Sequence, residues 1–132
     1  MLINEPPHDW RPGVVRALEE LVRLEIGWNG YGAGPVSFEN ATFALRMLEA
    51  ACPLDAPIPQ IVPGADGDLQ IEWHTDTADV ELHVIAPNSV VAWREGPGVP
   101  PEEIHLTNDF AIVANWVRYL PEPIGADSTA AA

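Results

Sequence analysis

Between residues 69 and 95, hydrophobic side chains fall on every second position in three successive runs, and that period is the tightest constraint in the chain. DLQIEWHT places Leu69, Ile71 and Trp73 on one face, and ADVELHVI places Val80, Leu82 and Val84 on one face. SVVAWRE is read with Val91 and Trp93 on the apolar face. Period-two alternation means strands with one buried and one polar side, the pattern of an antiparallel meander. The turns between them test the reading. A turn at Asp76-Thr77 sets Trp73 opposite Val80, Ile71 opposite Leu82 and Leu69 opposite Val84. A turn at Pro87-Asn88 sets Val84 opposite Val91, Leu82 opposite Trp93 and Glu81 opposite Arg94. Apolar residues then meet apolar residues in both hairpins, a match that a slip of one residue would destroy.

Helical periods flank these strands. Residues 12–26 repeat Val14, Val15, Leu18, Leu21, Val22 and Ile26 at spacings of three and four, with Pro12 at the start and Gly27 as the stop. Ser37 is a natural N-cap for a helix over 38–51, whose stripe is Ala41, Ala44, Leu45, Leu48 and Cys52 and which prolines terminate. A last helix carries Phe110, Val113, Trp116, Val117 and Leu120, capped by Thr107 or Asn108. Proline-bounded IPQIV at 58–62 reads as an edge strand, and EEIHL at 102–106 as the candidate for a fifth. The fold class expected is therefore α+β: a four-stranded antiparallel meander, five-stranded if EEIHL pairs, with three helices packed on one face. Residues 1–124 form one domain in this reading, and residues 125–132 a disordered tail.

Charge narrows the function. The chain of 132 residues carries 20 Asp+Glu against 6 Lys+Arg, a net charge of −14, and every basic residue is arginine. Nucleic-acid binding is disfavoured, because phosphate backbones need clustered positive charge. Schiff-base and P-loop chemistry are excluded for want of a lysine. The acidity is uneven: residues 55–109 hold eleven acids and one arginine, net −10. No apolar run approaches the roughly 20 residues of a membrane helix. The N-terminus lacks a basic start followed by an apolar stretch, and the single Cys52 forms no internal disulfide, so a cytoplasmic setting is expected.

Three Glu-apolar-His triplets stand out: Glu72-Trp73-His74, Glu81-Leu82-His83 and Glu103-Ile104-His105. Alternation puts each Glu and its His on one sheet face, a donor set suited to a metal. The first hairpin sets Glu72 opposite Glu81 but separates His74 from His83 by roughly 13 Å, too far for one ion. The plainer reading is a solvated polar face, on which an Arg94 opposite Glu81 relieves the Glu72–Glu81 repulsion. Ser37, Ser89 and Cys52 lie in no readable nucleophile motif, and no catalytic residue and no cofactor is called for. The Gly-rich run at 27–35 follows a helix and lacks a Walker lysine, so it reads as a compact loop with positive φ, pinned by its aromatics Trp28 and Tyr31. Trp73, Trp93 and Trp116 are assigned to the core, Trp10 and Trp28 to partly exposed positions.

The residues Trp28-Asn29-Gly30-Tyr31-Gly32-Ala33, a following helix and Asp66-Gly67-Asp68-Leu69-Gln70-Ile71-Glu72-Trp73 together give the chain a resemblance. It resembles a type of small bacterial protein with a W-[DN]-G-Y-G-A loop and a DG-x-[LIV]-x-[LI]-[ED]-W strand, over roughly residues 26–93. The resemblance implies a setting beside toxin or defence genes and assigns no catalytic residue. The function expected is a non-enzymatic binding protein for a basic partner: an antitoxin, an immunity protein or a nucleic-acid mimic. Asp76, Asp79, Glu81 and Glu72 would supply charge, and Trp28, Tyr31 and Trp10 aromatic contact. The alternative is a small metal-dependent enzyme or metal-binding protein using His74, His83 or His105 with the glutamates of the open sheet face.

Overall fold

The structure, a computed structural model, describes residues 8–76, 78–118 and 120, so the expected tail lies outside the described residues. Its elements run α1 (Arg11–Val22), α2 (Phe38–Ala51), β1 (Gln60–Pro63), β2 (Leu69–His74), β3 (Asp79–Ala86), β4 (Ser89–Gly96), β5 (Val99–Leu106) and α3 (Ala111–Arg118). The strands form one five-stranded antiparallel meander in the order β1-β2-β3-β4-β5. The segment around EEIHL is thus a true strand. No helix among the described residues is long and apolar enough to cross a membrane.

Helix α2 follows its sequence signals residue for residue. The Ser37 hydroxyl accepts from the Asn40 amide at 3.0 Å, Glu39 lies in the first turn, and Cys52 closes the end. Helix α1 is shorter than its apolar period. The Leu21 carbonyl accepts from the amides of Leu24 and Val36, so the chain turns away before Ile26, which lies exposed. Gly27 is consequently not the helix stop. Its φ of +87° serves the next loop instead, where its amide donates to the Ala33 carbonyl at 2.7 Å. At α3, Asp109 rather than Thr107 or Asn108 supplies the cap, its carboxylate accepting from the Ala111 amide at 3.0 Å.

Leu69, Ile71, Trp73, Val80, Leu82, Val84, Val90, Ala92 and Leu106 share one hydrophobic cluster with Val14 and Leu18 of α1, Met47 and Leu48 of α2, and Val113, Trp116 and Val117 of α3. Trp10 belongs to it as well. It is 1% exposed, with its indole N–H donating to the Pro53 carbonyl, which corrects its expected place on the surface.

The first hairpin has the register that alternation demands, with Trp73 paired to Val80, Ile71 to Leu82 and Leu69 to Val84. The second begins as expected, with Ala86 opposite Ser89, then shifts. A bulge at Ile85 puts two residues of β3 against one of β4, so Val84 meets Val90 and Leu82 meets Ala92. Val90 and Ala92 are therefore the buried pair, and Val91 and Trp93 turn to the opposite face. Trp93 is not a core residue. Arg94 also changes sides: it pairs with Val80 rather than Glu81, lies 5.1 Å from the Trp116 ring and bonds Glu102. It cannot relieve the Glu72–Glu81 repulsion.

Candidate functional site

Once the bulge has set the register, the face of the sheet opposite the core carries three cross-strand rows. The central one runs Glu72–Glu81–Trp93–Glu103. Beside it lies Gln70–His83–Val91–His105, and on the other side His74–Asp79–Glu95. Five carboxylates and three imidazoles therefore surround one half-buried tryptophan and one valine. Gln70, Glu81, His83, Val91, Trp93 and Glu103 line a shallow depression of about 320 Å³ at its centre. Among the described residues, the ion pairs on this face are made by histidines, while the arginine pairs join Arg11 to Glu49 and Arg94 to Glu102.

His74 bridges two carboxylates. Its Nε2 lies 2.9 Å from Glu72 Oε1 and its Nδ1 2.8 Å from Asp79 Oδ1. The hydrogen bond to Glu72, then that to Asp79, raises its pKa above the ordinary histidine value, against a smaller opposing effect of burial. A raised folded-state value means that the stabilisation is complete below the unfolded pKa of about 6.5 and fades as pH rises through the folded value. The stability difference between the wild type and His74→Ala is accordingly expected to shrink with rising pH above that point. Urea unfolding of both proteins across neutral pH checks this, and a difference that grows with pH would contradict it.

His83 is occupied elsewhere, with Nε2 2.6 Å from Asp68 Oδ2. Burial pushes the Asp68 pKa up, but hydrogen bonds from His83 and from the amides of Asp66 and Asp68, with the nearby imidazole charge, hold it below the usual carboxylate value. His105 Nε2 lies 3.2 Å from the Ser89 hydroxyl. The three histidines therefore do not converge. One ligand atom each from Glu72, His74 and Glu81 does, all within 4.8 Å of one another. Alternation and the register of the first hairpin place this trio together. Cys52 is buried, and burial pushes its thiol up to about 12, which leaves it protonated and a poor nucleophile.

The remaining expected contact residues do not join this face. Trp10 is in the core. Asp76 is exposed in the turn between β2 and β3. Trp28 and Tyr31 lie in the loop joined to the β1–β2 turn by the bonds from Gly34 to Ala65 and from Ser37 to Gly67, at the other end of β2. Asn29 Oδ1 accepts from the Tyr31 and Ala33 amides, and the Trp28 indole donates to the Gly34 carbonyl at 2.7 Å. Trp28 is half-buried, whereas Tyr31 is 85% exposed and pins nothing. Trp93, expected in the core, stands instead between Glu81 and Glu103, and the bulge brings these three into one row. In comparisons with known proteins, no family model, curated protein or solved structure matches this chain.

Proposed function

We propose that this chain is a non-enzymatic acidic binding protein, which neutralises or regulates a basic protein partner through the open face of its sheet. The observation that carries the reading is the central row, in which Trp93 stands between Glu81 and Glu103 over a shallow depression. A lysine or arginine side chain entering it would meet carboxylates at either hand and an aromatic ring beneath. The row lies on the face of the sheet opposite the hydrophobic cluster, where it would be open to a partner's loop or helix. The surrounding negative charge speeds encounter with a basic surface and repels nucleic acid. An antitoxin, an immunity protein or a nucleic-acid mimic directed at a basic target would use this chemistry, and the bacterial resemblance is in keeping with any of them.

Calorimetric titration with an arginine-rich peptide tests the site. The double variant Glu81→Gln/Glu103→Gln is expected to weaken binding by about tenfold, because it removes two charge-assisted contacts. The charge-matched control Glu20→Gln/Glu25→Gln, whose residues are exposed on and after α1, is expected to change it less than about twofold. Equal losses in the two variants would reduce the attraction to bulk charge and remove the sheet face as the site.

A further inference from the structure

We infer that Glu72, His74 and Glu81 form a divalent-cation site, with Asp79 as the residue that positions the imidazole. The inference stands independently of the partner-binding reading. Glu72 and Glu81 are direct cross-strand partners, and like charges so placed are destabilising, a repulsion that a divalent cation between them would offset more fully than the His74 imidazole, which bonds Glu72 and Asp79. The nearest arginine in sequence, Arg94, is turned to the other face of the sheet and bound to Glu102, so it does not serve.

The imidazole is set up for ligation. Asp79 Oδ1, 2.8 Å from Nδ1, accepts the N–H when the proton is on that nitrogen. The 2.9 Å contact from Nε2 to Glu72 Oε1 is a hydrogen bond while that nitrogen carries a proton, and a cation would displace the proton and take the Nε2 lone pair on the side where Glu72 lies. A carboxylate behind a ligating histidine fixes its tautomer and strengthens it as a donor. The three ligand atoms lie within 4.8 Å of one another. Bonds of about 2.0–2.2 Å to one ion require somewhat closer approach, which rotation of the two glutamate side chains supplies. The Glu72 side chain is only 15% exposed, while that of His74 is 45% exposed, so an ion can enter from solvent on the His74 side. One imidazole and two carboxylates suit Zn²⁺ or Mn²⁺ better than Mg²⁺, which prefers oxygen ligands and retains its waters. Three protein ligands would leave further positions for water.

The test uses Zn²⁺ alone, titrated calorimetrically into the full chain after chelator treatment, with the fold of each variant checked by circular dichroism. One Zn²⁺ per chain is expected. His74→Ala and Glu81→Gln are each expected to lower affinity at least about tenfold, and Asp79→Ala by about tenfold through loss of the positioning bond. Glu81→Gln also removes a like-charge neighbour, so its fold is not at risk from that repulsion. His83→Ala, His105→Ala, Trp93→Ala and Glu103→Gln are expected to stay within about twofold of the wild type, which keeps this result separate from peptide binding. Absence of saturable Zn²⁺ binding would overturn the inference. So would binding that survives His74→Ala, or that is lost equally with His83→Ala.

Discussion

Replacing Asn40 with aspartate is expected to destabilise the protein by about 3 kcal/mol or more, a large share of the roughly 5–15 kcal/mol that holds a domain folded. Asn40 is the one buried polar or charged residue among those described. Its amide nitrogen donates to the Gly67 carbonyl at 2.8 Å and the Ile85 carbonyl at 3.4 Å. Aspartate would set a carboxylate oxygen against two carbonyls, adding repulsion and the cost of burying charge to the lost bonds. Alanine, which only deletes the donor, is expected to cost about 1–3 kcal/mol. Urea denaturation of both variants measures the difference, and an aspartate variant more stable than the alanine one would refute the account. The consequence extends to the site. Asn40 joins the first turn of α2 to the turn before β2 and to the bulge itself, and the bulge decides which face Trp93 occupies.

Trp93→Ala is expected to weaken binding of an arginine-rich peptide by about 30-fold, equivalent to about 2 kcal/mol, with a smaller loss of stability than a core tryptophan would show. A half-buried ring at the centre of an acidic row would offer its exposed part to a basic side chain held by the flanking carboxylates. Removing it leaves the flanking carboxylates in place, so the salt dependence of the residual binding should persist. Titration at two salt concentrations separates the effects. Wild-type affinity in Trp93→Ala would show that the peptide binds elsewhere.

Much of the architecture was legible because local chemistry and long-range pattern agree. Ser37, Glu39 and the prolines after Cys52 bound α2 without help from the rest of the fold, and the first hairpin has a single apolar parity on both strands. The second hairpin was ambiguous in a definable way. SVVAW offers apolar residues at both parities, Val90 with Ala92 and Val91 with Trp93, so alternation favoured the larger pair. The extra residue at Ile85 reverses the choice, and its carbonyl accepts from a side chain 45 positions earlier, a contact that no local pattern encodes. Trp10 was misread for a similar reason. Its neighbours are polar, but its indole is satisfied by Pro53, 43 residues away. Of the candidate site, the opposed Glu72 and Glu81 followed from register, while Trp93 and Glu103 required the bulge.

The two outer strands of the sheet have a bearing on how a partner could arrive. The exposed borders are β1 and β5, and both contain proline, Pro63 in the first and Pro100 and Pro101 in the second. Proline has no N–H to donate, so a strand added to either border would find gaps in the ladder it needs. Recognition by strand addition, a common way for sheets to capture extended peptides, is thereby disfavoured along both margins. A basic partner of the kind proposed would instead meet the broad surface between them, where side chains rather than main chain would make the contacts.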